Sequence, residues 1–348
     1  MPPNTATILP PLLRALTVLE FVARHLDPMT FDQMFNAVGT PDDALREALH
    51  RVGGGEEPAV ISARFALSAF DNMRTAMANG DDLYAIYGAL RFLSRALEAL
   101  YPLAARDPVV NSFYLDASLR GNADIVACAA QPPRDGETGV MHFDNERGSR
   151  GGYSLYVPEN YSPERPLPLV MALHGGNGHG RAFLWSWLRD ARSFEAIVVA
   201  PTATGRTWAL MGEDTDTPNL HRILDEVSAR WQIDPARLLM TGMSDGGTFC
   251  YVSGLEAGSR FTHLAPVSAT FHPMMASIAD AGRINGLPIR IIHGARDWMF
   301  PVEVARRAAE SLAAAGADVG FREIDDLSHC YPREINAALL TWLRDNPR

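Results

Sequence analysis

The chain has 348 residues, enough for one large domain or two ordinary ones, and with 47% apolar and 21% charged residues it can bury a substantial core. Its net charge of -10 speaks against a nucleic-acid footprint, which needs clustered Lys and Arg, and against attraction to anionic lipid surfaces. Its 3 cysteines, Cys128, Cys250 and Cys330, are odd in number, widely spaced and free of any C-x-x-C metal spacing, which argues against a disulfide framework and for a reducing compartment.

In chain order, the opening segment "MPPNTATILPPLLRALTVLEFVARHLD" has no basic residue ahead of its apolar stretch, and Arg14, Glu20 and Arg24 interrupt that stretch. It reads as neither a signal peptide nor a membrane span, and the expectation is a cytoplasmic protein. Residues 1–130 read as helical throughout. In "GTPDDALREALHRV" Thr40 is read as a helix cap, Pro41 as the first helical position, and two acids fall in the first turn. In "DDLYAIYGALRFLSRALEALYP", Leu83, Ile86, Leu90, Leu93, Leu97 and Leu100 alternate three- and four-residue steps, one apolar stripe stopped by Pro102. The stripe fits a dimerising coiled coil or, the favoured reading at under three heptads, a bundle helix packed on its own chain. The region is expected to be a cap or an oligomerisation module, through which the protein would form a homo-oligomer.

"QPPRDGE", residues 131–137, marks a boundary, and a second domain is expected over 138–348. There "GYSLYVP" alternates apolar and polar as a half-buried strand does. "LPLVMALHGG" and "EAIVVAPTA" are continuous apolar runs of the kind found in parallel strands buried on both faces. "RLLMTGMS", "HLAPVSA" and "PIRIIHGARD" follow at crossover intervals, with helices predicted in "TPNLHRILDEVSARW", "PVEVARRAAESLAAAG" and "PREINAALLTWLRDN". This alternation predicts an α/β fold whose mostly parallel sheet is flanked by helices. Right-handed crossovers put the C-terminal strand ends on one edge, where such sheets bind ligands.

Four segments each end a predicted strand with something reactive: His174-Gly175-Gly176-Asn177-Gly178, the Gly242-Met243-Ser244-Asp245-Gly246 turn, Asp297 and His329. A serine hydroxyl is a weak nucleophile at neutral pH and needs a base to take its proton as it attacks. A histidine can accept that proton and return it to the leaving group, and a buried carboxylate holds the imidazole in the useful tautomer. Side chains at Gly242 and Gly246 would collide in a sharp strand-to-helix turn, which then projects Ser244 at the start of a helix. The Asp245 amide points to the same place, where developing negative charge is stabilised, and Gly176 or its neighbour Gly175 is the candidate for a second amide.

The order Ser, Asp, His with an H-G-G loop upstream resembles the α/β-hydrolase family. "LHGGNG", "GMSDGG", "HGARDWMFP" and "LSHCYP" are similar to segments of its phospholipase/carboxylesterase and polyhydroxybutyrate depolymerase/feruloyl esterase-like branches. The resemblance covers residues 150–345, a little over half of the chain. It implies an α/β-hydrolase fold, a serine esterase activity and a triad of Ser244, Asp297 and His329, with Asp297 preferred over Asp325 and Asp326. The first 130 residues lie outside it.

His293 and His174 read as structural, hydrogen-bonded below the site. The His174/His179 pair has no third ligand near it, so neither metal nor cofactor is expected, and Glu213, Asp214 and Asp216 read as a solvated loop. Trp185, Trp208, Trp298, Met299 and Phe300 fall in loops that could ring the pocket and favour apolar or aromatic groups. The expected partner is a small-molecule ester, with no nucleic acid and no membrane. A serine peptidase or amidase on the same triad is the rival enzyme; a binding or assembly protein with a vestigial hydrolase fold is the rival of another class.

Overall fold

The computed structural model describes residues 3–80 and 83–348. Met1, Pro2 and the Asp81-Asp82 pair that opens the apolar-stripe segment lie outside the described residues. The chain forms two compact units, Met1–Pro132 and Pro133–Arg348.

The first unit is helical: α1 (Pro3–Arg24), α2 (Phe31–Val38), α3 (Asp43–Val52), α4 (Pro58–Asn79), α5 (Leu83–Leu100), α6 (Pro108–Phe113) and α7 (Ala123–Ala129). Within α1 the stretch Ala6–Arg24 is long and apolar enough to cross a membrane by length and composition alone. Here Ile8, Leu12, Leu16 and Leu19 of α1 are fully buried, and the helix packs on α3, α4 and α5. Along α5, Ile86, Leu97 and Leu100 are buried, while Leu83, Leu90 and Leu93 stay partly exposed. The helix runs against α4, where the buried Ser62 hydroxyl donates to the Ala96 carbonyl at 2.8 Å. The buried half of the stripe therefore packs within its own chain.

One helix start differs from the sequence reading. α3 begins at Asp43, two residues beyond Pro41, and Asp42 precedes it without capping it. The Asp42 carboxylate is buried and accepts from Arg74 Nη1 at 2.7 Å and Arg46 Nη2 at 2.9 Å. Burial pushes its pKa up, but the two guanidinium groups outweigh that and hold it below the usual carboxylate value. Two charged partners bind a carboxylate more strongly than one backbone amide would.

The second unit is built on an eight-stranded sheet: β1 (Gly139–Phe143), β2 (Tyr153–Val157), β3 (Leu167–Leu173), β4 (Ile197–Pro201), β5 (Ile233–Met243), β6 (His263–Val267), β7 (Pro288–Gly294) and β8 (Asp318–Ile324). The strand order is β1-β2-β4-β3-β5-β6-β7-β8, and only β2 runs against its neighbours. Leu169 to Leu173 of β3 and Ile197 to Ala200 of β4 are fully buried, as central strands covered on both faces must be. Tyr153–Val157 is buried at every position rather than alternating. Its place between β1 and β4 gives even Ser154 an interior environment, where its hydroxyl bonds His142 Nδ1 at 2.7 Å and Asn145 Nδ2 at 2.8 Å.

The connections supply α8 (Gly180–Phe183), α9 (Leu188–Phe194), α10 (Asp216–Ser228), α11 (Asp245–Gly254), α12 (Met274–Ile278), α13 (Ala281–Ile284) and α14 (Val302–Ala314), and α15 (Asn336–Asp345) closes the chain. This is the α/β-hydrolase fold, with a helical N-terminal region beside it in the sequence. Its consequence for function is geometric: the C-terminal ends of β3, β5, β7 and β8 share one edge.

Candidate active site

The site is assembled where β5 turns into α11. Ser244 occupies the turn with φ 56° and ψ −121°, a left-handed φ that a residue with a side chain rarely holds. Its amide is tied to the Val267 carbonyl at the end of β6, at 2.9 Å. A Cβ added at Gly242 would lie 2.5 Å from the Gly246 backbone, and one at Gly246 would lie 2.4 Å from the His174 carbonyl. The elbow closes only because both positions are glycine.

His329, in the loop after β8, brings Nε2 within 3.0 Å of Ser244 Oγ. Its Nδ1 lies 2.9 Å from Asp297 Oδ2 and 3.0 Å from Oδ1. Asp297, in the loop after β7, also accepts from the amides of Met299 at 3.0 Å and Phe300 at 2.8 Å. Burial raises the Asp297 pKa, but the bond and charge of His329 and the Phe300 amide prevail and keep the carboxyl below its ordinary value. A carboxylate held ionised here fixes the His329 proton on Nδ1 and leaves Nε2 to accept from Ser244. Asp325 and Asp326 are exposed.

β3 lies beside β5, with Leu173 opposite Gly242, so the H-G-G loop emerges next to the elbow. A Cβ at Gly175 would touch Ser244 Cβ at 3.6 Å, and one at Gly176 would lie 2.7 Å from Asp245 Oδ2. Gly175 thus packs against the serine and Gly176 against the Asp245 side chain, and the Asp245 amide belongs to the first turn of α11, where no intrahelical acceptor exists.

His174 holds this loop. Its Nδ1 donates to the Gly175 carbonyl at 2.7 Å and its Nε2 accepts from the Ala203 amide at 3.1 Å, an arrangement that needs the neutral ring. Burial pushes its pKa down to about 3. His293 is buried too, with Nε2 2.8 Å from the Phe300 carbonyl and 3.4 Å from Asp297 Oδ2. Among the described residues no group of His, Cys, Asp and Glu comes together to hold a metal ion.

The aromatic residues divide. Trp298, 41% exposed, and Phe300 stand edge-on to the His329 ring at 6.2 and 5.3 Å, and Met299 lies between them in the same loop. Trp185 and Trp208 do not ring an opening: they are 3% and 2% exposed. Trp208 Nε1 donates to the His174 carbonyl at 2.7 Å and its ring lies between His174 and Phe249, so it supports the loop from beneath. Loop position alone does not distinguish a rim tryptophan from one that folds back into the core.

Sequence reasoning missed Asp216. It is 1% exposed rather than solvated, and it accepts from the amides of Thr204 at 2.7 Å and Ala209 at 2.8 Å, pinning the loop that carries Thr207 and Trp208. Asp214 in turn accepts from the amides of Asp216 and Thr217 at 2.9 Å. The "DTDT" spacing ahead of a predicted helix was the available signal, since Asp at such positions bonds amides two and three residues on.

No protein-family model matches the chain. It is 29% identical over 169 residues to a bifunctional acetylxylan esterase/xylanase of Neocallimastix patriciarum, covering 45% of this chain but 23% of that protein. It is 27% identical over 207 residues to a probable feruloyl esterase C of Aspergillus oryzae, covering 55% of this chain and 69% of the relative. It is also 27% identical to acyl-protein thioesterase 1 of Gibberella zeae, over 36% of this chain and 57% of the relative. Among solved structures, a truncated carbohydrate esterase from gut microbiota superposes with a TM-score of 0.50 at 13% identity, over 62% of this chain and 98% of the other. The chain therefore has the α/β-hydrolase fold and resembles esterases in sequence, spanning from 23% to 69% of the length of these curated relatives.

Proposed function

We propose that the chain is a serine hydrolase of uncharged carboxylic esters, working through a Ser244-His329-Asp297 triad and an acyl-enzyme. His329 Nε2 takes the Ser244 proton as Oγ attacks the ester carbonyl. The amides of Asp245 and Gly176, or of Gly175 beside it, hold the oxyanion. His329 then gives its proton to the departing alcohol, and a water activated by the same nitrogen hydrolyses the acyl-serine. Asp297 orients the imidazole and stabilises its charged form. Trp298, Met299 and Phe300 border the side where the alcohol leaves, next to His329. No metal or cofactor enters this scheme.

The observation that carries the reading is the unbroken hydrogen-bond chain from Ser244 Oγ through His329 to Asp297, set on a strained elbow. The relatives' names, acetylxylan esterase, feruloyl esterase and acyl-protein thioesterase, lend support, since each denotes hydrolysis of an ester or a thioester. Turnover of para-nitrophenyl acetate by the wild-type chain and by Ser244→Ala tests it. The expected loss is about four orders of magnitude or more in kcat with an unchanged circular dichroism spectrum. A folded Ser244→Ala protein that retains full turnover sinks the proposal.

A further inference from the structure

The residue after the nucleophile carries a charge whose placement has a second effect. Asp245 is half-buried, and its Oδ2 accepts a hydrogen bond from Thr207 Oγ1. The same oxygen lies against Gly176, 2.7 Å from where a Cβ would sit on that glycine. Thr207 itself sits between Thr204 and Ala209, whose amides both bond the Asp216 carboxylate, so the hydroxyl is presented from a pinned loop. Among the described residues no cation pairs with Asp245. A carboxylate is thus fixed against the Gly176 loop, one residue from Ser244, whose hydroxyl bonds His329, the group that must face the departing alcohol to protonate it. The acyl group is the part of an ester left to occupy the Asp245 side.

We propose that Asp245 is a specificity-determining residue whose carboxylate rejects esters of anionic acyl groups, so that uncharged esters are preferred and a cationic acyl group is disfavoured less than an anionic one. The inference rests on the ester-hydrolase reading and adds the sign of the charge that its acyl site accepts. Like charges brought close in a half-buried site repel enough to change a rate constant about tenfold. Apolar burial alone would disfavour either sign of charge.

The experiment uses the full chain and three para-nitrophenyl esters of similar length: hexanoate, the monoester of adipic acid, and omega-trimethylammonio hexanoate, with spontaneous hydrolysis subtracted. The variant is Asp245→Asn, which keeps the shape and the Thr207 contact and removes the charge; circular dichroism reports its folding. The expected result is a kcat/KM ratio of adipate to hexanoate about tenfold higher in the variant, with the advantage of the cationic ester over the anionic one lost. In the wild type alone, raising salt from about 20 mM to about 500 mM should lift the adipate ratio, because screening weakens the repulsion. A folded variant whose ratios stay within about twofold of wild type overturns the proposal while leaving the esterase reading intact. If the variant does not fold, a salt-insensitive wild-type ratio overturns it instead. A wild-type chain that turns over none of the three esters overturns the esterase reading, and this inference with it.

Discussion

The proposed chemistry rests on a few side chains whose protonation is set by what surrounds them. Asp297 is ionised because His329 and the Phe300 amide outweigh the cost of its burial. Asp297→Asn keeps the shape but donates where it should accept, which holds the imidazole in the wrong tautomer. We expect kcat to fall about 10³- to 10⁴-fold with little change in thermal stability, as steady-state kinetics and a melting curve can check. His174 is the converse, a ring kept neutral by burial and by an amide on Nε2. Between pH 6.5 and about 3 the unfolded chain binds a proton at this residue that the folded chain does not. Its stabilisation is therefore complete above pH 6.5 and declines as the pH falls toward about 3, by about 1.4 kcal/mol per unit. Urea unfolding from pH 7 down to about 4.5 should give a steeper loss in wild type than in His174→Gln, and parallel curves would count against the assignment. The Ser, Asp and His that the structure brings within hydrogen-bond distance were legible in the residues by type and order, as was the hydrogen-bonded setting of His174. The buried role of Asp216 was not, because charge is read as exposure until the amides that satisfy it are known.

At the scale of elements, register decides whether those residues meet. The pairing of Leu173 with Gly242 sets the H-G-G loop beside the elbow, and the contact is backbone on backbone. A methyl at position 246 would fall 2.4 Å from the His174 carbonyl and 2.6 Å from that of Leu173, so Gly246→Ala must push the end of β3 away from α11. We expect a loss of about 1–3 kcal/mol in stability and a disproportionate loss of turnover, measured by chemical denaturation and kinetics. Gly175→Ala, whose methyl would meet its neighbours at 3.6 Å, is the control and should melt close to wild type. The buried parallel strands were readable as apolar runs, since burial on both faces leaves no polar positions. β1 (Gly139–Phe143) was not read at all, being a short edge strand defined only by pairing with β2. The cap of α3 was misplaced for a similar reason, as Asp42 is claimed by Arg74, 32 residues away in sequence.

At the scale of the molecule, each site residue lies within Pro133–Arg348, and residues 131–137 are exposed throughout. Limited proteolysis should cut there, and a chain beginning near residue 133 should fold and keep the catalytic chemistry on para-nitrophenyl acetate; an inert but folded fragment would contradict a self-contained site. Our proposal for residues 1–130 remains a cap or an association module. Their removal is then expected to change the substrate profile or the mass measured by light scattering, and a fragment unchanged in both would dismiss the two roles.

What the residues determined on their own was the kind of sheet, the edge on which its loops gather and the chemical types placed there, because hydrophobic period and strand-end motifs are local properties. The tertiary structure alone decided which carboxylate faces His329, which tryptophans are rim and which are core, and that the Asp245 carboxylate stands against Gly176. Those outcomes depend on distances between segments separated by tens of residues, set by strand register and packing that no local pattern encodes.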